Sequence, residues 1–283
     1  MPAVKARIKL CSNLMREPQV FDQLGDLAGG FARDLIIYGA ALDQDQVVLH
    51  VPHFCEMMGY KRANLLLKLT DKQKEWMVEH GAKEDHLKKW KNAIGYTIRR
   101  MGIQSLEFAL PAEDTKDKSK YRKNDLRFRY KRLIGVINLE SLKTGTLITY
   151  VIDPEIMEHS RRKNYQTIYT ADYLSLKTKG GRADDKARKM YMRLAWKRQY
   201  WDSLTKKKGY KPSVDTYDDL KAVAGFNYSR EKKNAYLLNN LLKRVGQLPS
   251  IKMTPKMRLN NATGKYEVSW TRDELELEQF EEE

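Results

Sequence analysis

Residues 216–246 read TYDDLKAVAGFNYSREKKNAYLLNNLLKRVG, and this stretch decides the fold. Thr216 followed three residues later by Asp219 has the form of a capping box, which starts a helix that Gly225 stops. After a short turn, residues 230–245 carry leucines and valine at helical spacing and predict a second helix. Two helices joined by a short glycine-containing turn make a helix-turn-helix.

Downstream, Ile251, Met253, Met257 and Leu259 alternate with Lys252, Thr254, Lys256 and Arg258, with Pro255 in register with the apolar set. Residues 260–264 supply a turn, and Tyr266, Val268 and Trp270 resume the apolar face. Proline in such a ribbon predicts an edge strand or a bulge. A helix-turn-helix followed by a hairpin predicts a winged helix. Upstream, residues 186–204 predict a helix with Ala187, Met190, Tyr191, Leu194, Ala195 and Trp201 on one side. Lys186, Lys189, Arg193 and Lys197 form a basic stripe along it. Lys206-Lys207-Lys208-Gly209 makes a loop, and Val214-Asp215 a very short strand.

The first half repeats this order less clearly. Residues 31–42 predict an apolar helix, 47–51 a strand, and 54–58 a helix opened by Pro52. Residues 65–80 predict an additional helix, and 85–101 the counterpart of 230–245. Strands are expected at 103–110, 128–139 and 146–152, with a polar, charged loop over 111–125. Ile98-Arg99-Arg100-Met101-Gly102 and Leu242-Lys243-Arg244-Val245-Gly246 share one pattern, and Thr144-Gly145 and Thr263-Gly264 mark turns downstream of each. A duplication accounts for this pairing, as would two unrelated helices with glycine caps. The expected architecture is therefore α+β, with two tandem winged-helix domains. Residues 1–160 form the first, with an extra helix and a loop insertion; residues 161–272 form the second; residues 273–283 are an acidic tail.

Composition narrows the function. The 283 residues contain 53 Lys+Arg and 37 Asp+Glu, a net charge of +16, and the last eleven residues hold seven acids and no base. Without that tail the chain carries +23, which favours a polyanionic partner such as nucleic acid. The longest uncharged apolar run, residues 35–42, is far short of the roughly 20 residues that span a bilayer. Neither a membrane span nor a secretory signal is expected. The two cysteines, Cys11 and Cys55, form no CxxC pair, which excludes a disulfide scaffold and a cysteine-rich zinc site and fits a reducing cytoplasm.

The element order over roughly residues 30–272 resembles that of plasmid replication initiators built from two tandem winged helices. Lys189-Met190-Tyr191-Met192-Arg193-Leu194 is similar to the helix that opens the second domain of that family. The resemblance implies binding of origin repeats (iterons) by a monomer, dimerisation through the first domain, repression of its own promoter and recruitment of host replication proteins. The 65–80 helix, the 111–125 loop and the acidic tail depart from the family's pattern.

Within the helix predicted over 230–245, Lys232, Tyr236, Asn239 and Lys243 follow one another at spacings of 4, 3 and 4, opposite Leu238, Leu241, Leu242 and Val245. Lys233 and Asn240 flank that stripe. Lysine donates to guanine or phosphate, and asparagine pairs both ways with adenine, so this face suits a major groove. An ordinary solvated helix face would instead carry Lys, Glu and Gln, whereas Glu231 is the only acid here. The equivalent face of the 85–101 helix offers Lys88, Lys89, Asn92, Tyr96 and Arg99. Phosphate contacts are expected from Lys252, Lys256, Arg258 and Lys265 on the ribbon and from Lys186, Lys189 and Arg193 on the preceding helix. Arg127, Arg129 and Lys131 fit a second wing or a charged edge strand equally.

Other chemistry has weaker signals. His50, His53 and Cys55 straddle a strand-to-helix turn that would point the two histidines apart, so no metal is expected. His159, Arg161 and Arg162 with Tyr165 and Tyr169 faintly suggest a DNA-cleaving tyrosine. Asp184-Asp185 and Asp218-Asp219 are explained as helix starts. There is no GxxxxGK[ST] loop, and no cofactor or catalytic residue is expected. The sequence thus predicts a sequence-specific binder of double-stranded DNA, a replication initiator. The alternatives are a winged-helix transcriptional repressor and a nicking or strand-transfer enzyme.

Overall fold

A computed structural model describes residues 7–60, 69–83, 93–103, 106–111, 126–131, 134–142, 145–161, 165–179, 181, 183–205 and 215–272. It is a mixed α and β structure that divides into two compact units. Among the described residues, 20–161 form the first unit, and 7–19 with 165–272 form the second.

The first unit is built on α2 (Asp26–Leu42), whose run of apolar residues buries Phe31, Leu35 and Ile36. It covers an antiparallel three-stranded sheet in the order β2 (Gln46–His50), β6 (Gly145–Ile152), β5 (Ile134–Leu142). Gly39 makes the close approach possible, because a β-carbon there would meet Ile152 Cδ1 at 2.3 Å. Tyr150 reaches across from the sheet and donates to the Leu35 carbonyl at 2.8 Å. Pro52 stands in the first turn of α3 (Val51–Met58), where its missing N–H is harmless. Inside this core Asp34 accepts from Tyr60 Oη at 2.6 Å and from Arg33 Nε at 3.0 Å.

Thr70 and Gln73 form a complete capping box at the start of α4 (Asp71–Glu79), which packs on α5 (Ala93–Ile103). Part of the helix expected over 65–80 and the N-terminal half of that expected over 85–101 lie outside the described residues. The strand expected over 128–139 is two elements: β4 (Leu126–Lys131), paired with β3 (Leu106–Pro111), and β5. The unit ends with α6 (Pro154–Arg161), where Arg161 reaches Asp43 and Asp45 at 2.8 Å each.

The second unit corrects the expected domain boundary. Residues 7–19 belong to it rather than to a first domain of residues 1–160. β1 (Arg7–Cys11) pairs antiparallel with β7 (Tyr165–Tyr169), and α1 (Ser12–Arg16) lies against the long helix α8 (Asp185–Thr205). Ile8, Leu10, Cys11, Leu14 and Met15 are buried, which is why this segment stays with the second unit. A short helix, α7 (Thr170–Ser175), joins β7 to the loop before α8.

α8 is enclosed on nearly all sides. Ala187, Met190, Tyr191, Leu194 and Ala195 are buried as their spacing predicts, and so are Met192, Arg188, Lys189, Lys197 and Arg198. Against it pack α9 (Tyr217–Ala224) and α10 (Glu231–Gly246). The Thr216 hydroxyl accepts from the Asp219 N–H at 3.1 Å to start α9, and Gly225 ends it with φ 62°. The hairpin β8 (Met253–Asn260) and β9 (Lys265–Arg272) follows where the alternation predicts it, with Pro255 on the edge strand opposite Trp270. Thr216 adds a single bridge to Glu267 on the other side of β9. Leu259 departs from the expected apolar face: it is exposed because the tip of the ribbon extends past the core. Among the described residues, no helix is long and apolar enough to cross a membrane.

Candidate nucleic-acid interface

α10 divides into two faces, as its sequence predicts. Ala235, Leu238, Leu241, Leu242 and Val245 are buried, while Lys232, Lys233, Tyr236, Asn240 and Lys243 are exposed and Asn239 is half-buried. The third asparagine has a different task. Asn234 is buried; its Oδ1 accepts from the Tyr228 N–H at 3.0 Å and its Nδ2 donates to the Tyr228 carbonyl at 2.8 Å. It thereby fixes the turn that aims α10. Lys233 Nζ lies 4.0 Å from the centre of the Tyr228 ring, a cation–π contact on the same turn.

A charge clamp reinforces the helix pair. Glu231 accepts from Lys221 Nζ at 3.1 Å and from Asn234 Nδ2 at 3.2 Å. Its neighbours, first Tyr217 and then Lys221 and Asn234, hold the Glu231 carboxyl below its ordinary range. The same carboxylate raises the Lys221 pKa, and burial followed by Glu231 raises that of Tyr217. The one acid of α10 is thus turned toward α9, and the solvent face keeps its positive charge. Gly246 completes the support: a β-carbon there would meet the Met253 carbonyl oxygen at 2.1 Å, so only glycine lets β8 return so close to the helix end.

On the ribbon, Lys256, Arg258 and Lys265 are exposed, with Arg258 directly across from Glu267. They line one wall of a cleft of about 710 Å³ whose other wall is the start of α9, with Thr216, Tyr217 and Tyr266 also lining it. Lys252 does not sit on the ribbon. It is half-buried in the turn before β8, has φ 42°, and its carbonyl accepts from Arg198 Nη1 at 3.1 Å.

The cations of α8 from which phosphate contacts are expected are bonded within the second unit. Lys186 Nζ donates to the carbonyls of Ala224 and Gly225 at 2.8 and 3.0 Å, satisfying the end of α9. Lys189 is 4% exposed and lies 3.4 Å from Asp185. Arg193 donates to the Arg16 carbonyl at 2.6 Å and to Asp215 at 3.0 Å. Their ammonium and guanidinium groups thus help to hold the unit together.

In the first unit, Tyr96 and Arg99 are likewise engaged. The Tyr96 hydroxyl accepts from Arg100 at 2.6 Å while its ring meets Trp76 edge-on, and Arg99 donates to the His80 carbonyl at 2.8 Å. Both join α4 to α5. Lys88, Lys89 and Asn92 lie outside the described residues, as do the side chains of Arg127, Arg129 and Lys131. The structure adds two surface residues that the sequence reading passed over, Tyr228 and Arg230. Their signal was position, since both flank the exposed N-terminal end of α10.

Among the described residues, no three His, Cys, Asp or Glu side chains gather as a metal site. Cys55 is buried in α3. Asp184 accepts from the Ala187 N–H at 3.1 Å as a helix cap and from Arg244 at 2.6 Å. Tyr169 faces the Arg7 guanidinium at 5.5 Å and Tyr165 the Lys9 ammonium at 4.5 Å, both as ring contacts between β1 and β7. The chain matches no protein-family model and no curated protein.

Proposed function

We propose that the protein binds double-stranded DNA sequence-specifically, with α10 as the helix that enters the major groove and the β8–β9 hairpin as a wing beside it. In this reading the second unit is a winged helix: α8, the Thr216 bridge, α9, α10 and the two ribbon strands come in the order that fold requires. The observation that carries the proposal is the division of α10, whose buried face anchors it while Lys232, Tyr236, Asn239, Asn240 and Lys243 stand together on the other. A net charge of +16 supplies the long-range attraction to a polyanion.

The biological role we assign is initiation of replication at the origin repeats of a plasmid, on the strength of the tandem-winged-helix resemblance. Repression of its own promoter, homodimerisation and recruitment of host replication proteins belong to the same proposal. Tandem direct repeats in the bound DNA support the initiator, and a single palindrome supports a repressor.

Two variants test the interface. Asn239→Ala should weaken binding to the selected site by about 1–3 kcal/mol more than binding to random duplex. Lys256→Ala should weaken both alike and reduce the slope of log affinity against log salt by about 0.9. Equal losses on both duplexes for the first variant, and an unchanged slope for the second, would contradict these roles.

A further inference from the structure

Tyr236 is 67% exposed, the highest value among the exposed large apolar side chains of the described residues. It sits four residues after Lys232 and four before Asn240, about 6 Å of helix axis on either side. It stands alone on its face: Lys233 covers Tyr228, while no described residue hydrogen-bonds the Tyr236 hydroxyl or packs a ring or cation on its ring. The buried opposite face of α10 and the Asn234–Tyr228 clamp hold the ring outward.

An apolar ring kept in water between amide and ammonium groups calls for a partner that is apolar at one point and hydrogen-bonding beside it. A protein partner would also cover an exposed tyrosine. The surrounding face, however, offers Lys232, Lys243, Asn239 and Asn240, and its only acid, Glu231, is held toward α9. That composition suits a polyanion. In a major groove the one apolar group that base pairs display is the thymine 5-methyl, and the base that asparagine reads with both ends of its amide is adenine. Both requirements are met by A·T pairs.

We infer that Tyr236 is a specificity-determining residue that packs its ring on a thymine methyl, beside an adenine read by Asn239 or Asn240. This face therefore selects A·T-containing sequence. The inference rests on the DNA-binding reading and goes beyond it by naming the base pair.

The test uses the full chain and duplexes selected from a library with a randomised core. The selected duplex is rebuilt with deoxyuridine in place of each thymidine in turn, which removes only the methyl group, and affinities are read by fluorescence anisotropy. The wild type should lose about four-fold at one position, the worth of one buried methyl. Tyr236→Ala should lose affinity for the thymidine duplex and be indifferent to deoxyuridine at that position, and Tyr236→Phe should keep the wild-type sensitivity. Circular dichroism checks that both variants are folded. A selected site insensitive at every thymine, a site without thymine, or a Tyr236→Ala variant as sensitive as the wild type would overturn the inference and leave DNA binding standing. Failure to bind any duplex would overturn both.

Discussion

Asn234 holds both main-chain polar groups of Tyr228, accepting from its N–H and donating to its carbonyl. A buried side-chain amide thus does for the turn between α9 and α10 what a neighbouring strand does for a sheet. Asn234→Ala removes both bonds from a residue that is 1% exposed, and should cost about 1–3 kcal/mol in urea unfolding. Asn240→Ala, an exposed asparagine of the same helix, should change stability by less than about 0.5 kcal/mol. Equal costs for the two would show that the turn does not depend on Asn234.

Asp215 sits between two cations, 3.0 Å from Arg193 and 2.7 Å from Lys197, with all three side chains largely buried. Burial lowers the Lys197 pKa, and Asp215 opposes that shift. Asp215→Asn removes the carboxylate charge from beside two largely buried cations and should destabilise the second unit by about 3–5 kcal/mol. Denaturant unfolding measures this.

The Gly246 close approach gives a prediction with a clear sign. Gly246→Ala is favourable for an isolated helix, yet here the new methyl collides with the Met253 backbone. Moving that backbone should cost about 1–3 kcal/mol, seen as a lower thermal midpoint. A midpoint at or above that of the wild type would mean that β8 yields freely.

The Glu231 clamp makes stability pH-dependent. The folded-state pKa of this carboxyl is depressed below its ordinary value of 4.5. Its contribution is therefore fully present above the unfolded value and is lost as pH falls through the folded one. Glu231→Gln should lower the thermal midpoint at neutral pH, and the difference from wild type should vanish in acid below the ordinary glutamate range. A difference that persists undiminished there would show that the charge is not what matters.

How much of this was legible depended on whether the deciding contacts were local. Thr216, Gly225 and the leucine spacing of α10 act within a few residues, so the helix pair could be read directly, as could the alternation from Met253 to Trp270. The join of residues 7–11 to 165–169 is a pairing across more than half the chain, and local periodicity carries no trace of it. The same long-range packing sets the partners of the cations of α8. Its cations have the spacing of a solvated stripe, but Asp215, the Arg16 carbonyl and the end of α9 cover them, and none of these is near in sequence. The strand expected over 128–139 falls in two sheets, because β4 pairs with β3 and β5 with β6, and β propensity does not tell partners apart.

Arg193→Ala separates the two kinds of cation. Its guanidinium bonds the Arg16 carbonyl and Asp215, so the variant should be less stable while the salt dependence of DNA binding by the folded protein stays that of the wild type. A slope lower by about 0.9 would place Arg193 on the proposed DNA surface.

Charge reversal on the solvent face of α10 tests the proposed DNA binding most directly. Fluorescence anisotropy with a 30-bp random duplex, titrated at several salt concentrations, compares the wild type with Lys232→Glu/Lys243→Glu. Both positions are exposed, so the variant should retain the wild-type circular dichroism and thermal midpoint. The wild type is predicted to bind the duplex at low ionic strength and to surrender it steeply as salt rises, and the double variant to lose that binding. Undiminished binding by the folded double variant at every salt concentration would contradict the claim that α10 is the DNA-binding element.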